Sequence, residues 1–420
     1  MKVRATGVVS LRRSWAATLA GMTLVSGVAV AGAQPAVGGA PTPGPKLQPI
    51  GEVGNGFFGI SVALSAKGGT ALVGASNDSG AIGGAWAFTR SSGSWRQEGR
   101  KLLPGRQLQP TGFGLRVALS ADGNTALIGG PLESGGVGAA RVFVRSGSGW
   151  RQTAKLTPRS EAGRSGFGES VALSADSTVA LVGGPTDALG AGAAWIFTRS
   201  GSTWKQGSKL TGRGEVGPGR FGVSVALSSN GRIAAVGGPL DANAVGSVWT
   251  FVRTGAEWSP EGSKLTIKGG KSQAQFGSSL SLSATGSTAL IGAPVDDADV
   301  GTAWVFTRSG SSWRQQGKEL TAPGKPGTVQ FGGSVALSGS GDTALVGGAG
   351  DNGEVGTGAV WLFTRSGSAW SHEGTQLARR RERGSAGFGS SVAISTDGSI
   401  AVVGGYNDDH GTGAAWEYHL

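Results

Sequence analysis

Past residue 57 the chain is written in short apolar runs separated by glycine- and serine-rich turns, and this alternation recurs seven times. Each copy holds four runs: a, such as SVALS at 170–174; b, such as TALIGG at 125–130; c, such as AWVFTR at 303–308; and d, such as WRQQ at 313–316. Runs a, b and c carry apolar or small residues at consecutive positions, as strands covered on both faces do. Run d mixes Trp with Arg, Gln and Ser, as a half-wetted outer strand does. Between a and b stand Asp122-Gly123, Asn230-Gly231 and Asp397-Gly398, dipeptides that suit two-residue hairpin turns. Four short antiparallel strands repeated seven times predict an all-β, seven-bladed propeller.

Spacing supports this reading. A Phe opens each copy at 58, 113, 167, 221, 276, 331 and 388. Strand c carries Trp at 86, 195, 249, 304, 361 and 416, with Arg141 in that place in the second copy, where it suggests local solvent access. Strand d carries Trp nine residues later at 95, 150, 204, 258, 313 and 370, and the seventh copy reaches Leu420 without one. A Leu, usually after Lys, stands eleven residues before every opening Phe, and Leu47 keeps that spacing with no strand c ahead of it. The segment around Leu47 is therefore expected to supply the fourth strand of the last blade and close the ring, where an open solenoid would need polar caps instead.

Composition adds the context. The 420 residues would suit two or three ordinary domains, but repeats that share one core count as one. The start is basic (Lys2, Arg4, Arg12, Arg13), then largely apolar to Val30, and Ala31-Gly32-Ala33 offers a small-residue cleavage site. Residues 1–33 thus read as an export signal, residues 34–43 as a Pro/Gly-rich leader, and residues 44–420 as the propeller. Removing residues 1–33 lowers the formal net charge from +11 to +7. No basic cluster with interleaved aromatics points to nucleic acid. Cys is absent, which excludes disulfides, thiol catalysis and Cys-ligated metals. After residue 33 no apolar run is long enough for a transmembrane span. A secreted or envelope-located monomer is expected.

Phe-Gly at the head of each copy, with Gly-Gly-Pro or Gly-Ala-Pro after strand b (Gly292-Ala293-Pro294), resembles the FG-GAP repeat family, and the likeness runs over essentially all of residues 44–420. That family includes the propeller of integrin alpha chains, so the resemblance implies a propeller used for binding and adhesion. Integrin-type repeats often carry an Asp-rich calcium loop in the a–b hairpin. Here those positions read Ala121-Asp122-Gly123, Ala175-Asp176-Ser177 and Ser229-Asn230-Gly231, too few oxygens for an ion that wants six to eight.

Candidate chemistry centres on one recurring acid. It stands twenty residues after each opening Phe: Asp78, Glu133, Asp187, Asp241, Asp296, Asp351 and Asp408. In the expected topology these acids sit in the b–c loops, on the same face as the d–a loops, and would ring one mouth of the channel. There they could meet a cationic or hydroxyl-rich ligand, or each could accept backbone N–H groups of its own turn. No cofactor is expected; a divalent cation such as Ca²⁺, if one binds, would go to Asp296, Asp297 and Asp299, or to Asp408 and Asp409. The Arg residues at 90, 145, 199, 253, 308 and 365 lie at the opposite face, as a polyanion ring or as solvated hairpin ends. The d–a loops vary most, and Arg379-Arg380-Arg381-Glu382-Arg383 is the densest charge. Three His residues, at 372, 410 and 419, complete no triad that spacing reveals. The leading expectation is a non-enzymatic scaffold that binds a protein or glycan through the loop face. The alternative is a carbohydrate-active enzyme with two of the acids at the channel mouth.

Overall fold

In the computed structural model, residues 40–420 are described apart from 269–272, 325–326, 351–356 and 378–381. Seven four-stranded antiparallel sheets form the blades of a closed propeller, numbered here by their opening Phe from 58 to 388. Blade 3 shows the plan: strand a Ser170–Leu173, b Val179–Gly184, c Ala193–Ser200 and d Thr203–Leu210, in that order from channel to rim.

The ring closes as expected. The segment Thr42–Leu47 pairs antiparallel with strand c of blade 7, Ala414–His419, in the register Lys46 with Trp416 and Leu47 with Ala415. The strand starts at Thr42, two residues before the expected boundary, and so includes Pro43. An outermost strand tolerates prolines that cannot donate to a ladder, and the register shifts between Pro43 and Lys46. Leu47 is buried with Phe58, Val73 and Trp86 of blade 1 and with Val402 and Ala415 of blade 7.

Blades are joined at both ends of strand a. At the a–b turns one backbone N–H donates to the next blade's carbonyl all the way round, from Ala66 to Ala121, Ala175, Ser229, Ala284, Gly339, Thr396 and back to Ala66, at 2.8–3.0 Å. At the other end a strand-a serine hydroxyl donates to the carbonyl of the next Phe-Gly glycine: Ser61 to Gly114, Ser170 to Gly222, Ser224 to Gly277, Ser279 to Gly332, Ser334 to Gly389 and Ser391 to Gly59. Blade 2 has Arg116 at that position.

The repeated aromatics are core. Phe167 meets Trp195 edge-on at 5.4 Å and Phe197 at 5.8 Å, in the T-shaped geometry that ring quadrupoles favour. The glycine before strand c belongs to the same joint. Gly192 has φ +84°, and a Cβ there would stand 2.1 Å from the Phe221 carbonyl oxygen, so only glycine allows both the backbone angle and the approach of the next blade. Among the described residues no helix is long and apolar enough to cross a membrane.

Candidate functional site

Each of the six described b–c loops starts with the recurring acid and continues through two left-handed residues; in blade 3 these are Ala188 (φ 48°) and Leu189 (φ 59°) after Asp187. Asp297 and Asp409 occupy the first of these positions in their own loops, at φ 55° and 51°, a conformation that short polar side chains such as Asp tolerate better than most.

The acids lie beneath the loops rather than around a mouth. Asp78, Asp187, Asp241, Asp296 and Asp408 are each at most 3% exposed, and Glu133 is 5% exposed; Asp351 falls outside the described residues. In blades 1, 3, 4 and 7 one oxygen accepts a backbone N–H from the d–a loop 25 residues upstream rather than from the acid's own turn: Val53 to Asp78 at 2.7 Å, Ala162 to Asp187 and Val216 to Asp241 at 2.6 Å, Arg383 to Asp408 at 2.7 Å. The residue after the acid returns the bond, as Ala188 N–H does to the Ala162 carbonyl at 3.0 Å. The other oxygen pairs with the Lys that precedes the recurring Leu: Lys101 with Asp78 and Lys209 with Asp187 at 2.7 Å, Lys264 with Asp241 at 2.5 Å, and Lys46 with Asp408. The same ammonium groups lie over the strand-c Trp ring, 5.3 Å from its centroid for Lys209 over Trp195. Acid, lysine and tryptophan thus bolt the b–c loop to strand d and to the loop arriving from the previous blade.

Among the blades whose acid is described, two depart from this scheme in an informative way. In blade 2 both partners change together. Glu133, with its longer side chain, holds Arg141 through both oxygens and also Lys155. Arg141 is only 2% exposed, so the Trp-to-Arg change marks a buried ion pair and not solvent access. Burial alone would raise the Glu133 carboxyl, but Arg141 and Lys155 outweigh it and hold it below the usual carboxylate range. In blade 5 the lysine position is Glu319; Asp296 there accepts the Thr302 hydroxyl, which in turn accepts Trp304 Nε1–H. Asp296 does accept an N–H of its own turn, that of Asp297 at 3.1 Å. Among the described residues no three acidic or His side chains converge as metal ligands, and Asp296, Asp297 and Asp299 do not form such a group.

On the opposite face most of the strand-c arginines are tied to carboxylates, several across a blade boundary: Arg90 to Glu417 at 2.6 Å, Arg145 to Glu98, Arg308 to Glu261, and Arg365 to Asp342 at 2.7 Å. Arg199 and Arg253 bond the carbonyls of Gly201 and Gly255. A ring of free guanidinium groups is therefore not presented. The a–b turn acids are likewise spent locally: the Ser395 hydroxyl and then the Ser399 N–H and hydroxyl hold Asp397 below its ordinary pKa. Residues 379–381 of the arginine run lie outside the described residues.

The b–c and d–a loop face carries a different feature, which the repeat pattern does not announce. Ile50, Val53, Leu103, Leu108, Leu132, Leu189 and Val216 are the large apolar side chains left exposed among the described residues, and all seven lie in d–a or b–c loops. They follow one arc, from the loop entering blade 1 to the loop entering blade 4. Leu189 is 99% exposed on a left-handed backbone. Within the arc lies a mostly apolar hollow of about 560 Å³ lined by Phe57, Leu115, Pro131 and Leu132, with Arg164 and Glu169 at its edge. Phe57, the one Phe outside the repeat series, is held at φ 61° with its ring 5.6 Å from Tyr406. On the same face Glu52 is pushed up to about 7, chiefly by burial against the opposing Gly56 N–H, with Asp78 adding to the rise.

Residues 150–197 and 258–306 each match the family model described as FG-GAP repeat. No curated protein gives a significant match to the chain.

Proposed function

The chain is an FG-GAP repeat β-propeller, and from that premise we propose that it is an exported binding scaffold whose partner docks on the b–c and d–a loop face. One observation carries this reading: among the described residues the exposed large apolar side chains are confined to that face and to one arc of it. Large apolar groups left in water and gathered on a rigid frame favour an interaction surface. Aliphatic side chains around an apolar hollow suit a protein partner better than a glycan, which would call for exposed aromatic platforms. The export signal expected at residues 1–33 would bring that face to partners in or beyond the cell envelope.

The enzymatic alternative needs two acids free at the mouth, whereas Asp78, Asp187, Asp241 and Asp408 are each engaged by a lysine. The decisive experiment replaces Leu108 and Leu132 with Ser and measures affinity for a purified envelope protein that binds the wild type. Both residues are exposed, so the melting temperature should stay within about 2 °C, since surface changes are worth roughly 0.5 kcal/mol or less. The dissociation constant should rise at least about tenfold, the equivalent of roughly 1.4 kcal/mol. Unchanged affinity would remove the apolar arc from the binding surface. Turnover of a polysaccharide by the wild type would favour the enzyme instead.

A further inference from the structure

The channel breaks its own symmetry once. Where six blades place a serine that latches the next blade, blade 2 places Arg116, and the latch to the Gly168 carbonyl is absent there. Arg116 lines a cavity of about 180 Å³ at the loop-face end of the channel, together with strand-a residues of all seven blades. Its guanidinium donates to the carbonyl of its own neighbour Leu115 at 2.9 Å. The nearby carboxylate, Glu169, is in an ion pair with Arg220 at 3.2 Å. Arg220 thus engages the one carboxylate whose charge also reaches Arg116.

Arg116 is exposed to channel solvent, with the innermost strands of the other blades around it. Desolvation by the surrounding strands pulls its pKa down, and the field of Glu169 only partly restores it. Burial also pushes Glu169 up, against Arg220 and Arg116. A small anion entering this cavity can reach the unused N–H groups of Arg116, which a guanidinium presents in the fork that matches a carboxylate or phosphate. We propose that Arg116 makes the loop-face end of the channel a binding site for one small oxyanion, a carboxylate or a phosphate. The site adjoins the hollow, whose lining includes Leu115 and Glu169, but uses none of the exposed leucines on which the docking surface rests.

Arg116→Ser is the natural test, because it installs the residue that six blades already carry and should restore the hydroxyl latch to Gly168. The whole protein is titrated calorimetrically with inorganic phosphate and, separately, with acetate, at constant ionic strength set by chloride. Expected is saturable binding of at least one of the two by the wild type, weakened at least tenfold in Arg116→Ser and equally in Arg116→Gln, with a melting temperature for Arg116→Ser no lower than the wild type's. Arg116→Gln keeps the side-chain bulk without the charge and so separates loss of the ion from loss of packing. Binding of neither anion by the wild type, or binding that survives both substitutions, would overturn the proposal.

Discussion

Removing residues 40–47 is expected to cost the ring about 5 kcal/mol or more, measured as the drop in unfolding free energy in a denaturant titration. The estimate has two parts. Asp408, at most 1% exposed at its side chain, loses Lys46, and leaving one member of a buried ion pair alone costs about 3–5 kcal/mol. Leu47, 2% exposed among Phe58, Trp86 and Ala415, leaves its pocket empty, and emptying such a site costs about 2–5 kcal/mol. The bare strand Ala414–His419 would also become an open sheet edge, so self-association should rise with concentration. An unchanged denaturation midpoint would mean that the N-terminal strand is not what closes the propeller.

Asp241→Ala should be the most damaging single substitution among the recurring acids. Asp241 accepts the Val216 N–H at 2.6 Å, the Ser247 hydroxyl at 2.6 Å and the Lys264 ammonium at 2.5 Å, with no exposed surface. Alanine strands an amide, a hydroxyl and a cation together, and about 3–5 kcal/mol of stability should go with them. Lys264 is 22% exposed at its side chain and can turn partly to solvent, which places the value toward the lower end of that range. Asp241→Ala combined with Lys264→Met should recover part of the loss, because the orphaned charge is then gone. If Asp241→Ala melted like the wild type, the bolt assigned to the repeated acids would be wrong, and their recurrence would need a ligand to explain it.

Architecture was legible in the chain because a repeat declares itself. The Phe, Trp and Leu series gave strand order, blade count and ring closure, since each position meets the same neighbours seven times. The place of the acids was not legible in the same way. Spacing puts Asp187 at the end of strand b, but it does not say that the side chain turns inward to Ala162 and Lys209. The signal was present in two places. Lys precedes the recurring Leu at 46, 101, 155, 209 and 264, and the copy with Glu133 for Asp is also the copy with Arg141 for Trp. A paired change of that kind within one repeat marks contact, and here it is a buried bidentate ion pair. The apolar arc was harder to foresee, because Leu108 and Leu189 stand at loop positions whose residue changes from copy to copy. Whether a lone leucine is covered or bare depends on how neighbouring loops fold over it.

Leu189 offers the most direct test of the division between a repeated frame and a functional loop face. Its backbone is left-handed at φ 59°, while the matching residues of blades 1 and 2 are Gly80 and Gly135. Leu189→Gly should therefore relieve strain and stabilise the fold by about 0.5–1 kcal/mol, the left-handed penalty less the entropy that glycine adds to the unfolded chain. The same variant removes the most exposed apolar side chain of the arc. Melting temperature and partner affinity measured on that one protein should move in opposite directions, the first up and the second down by about tenfold or more. A variant that melts higher and binds as the wild type does would contradict the assignment of function to this face.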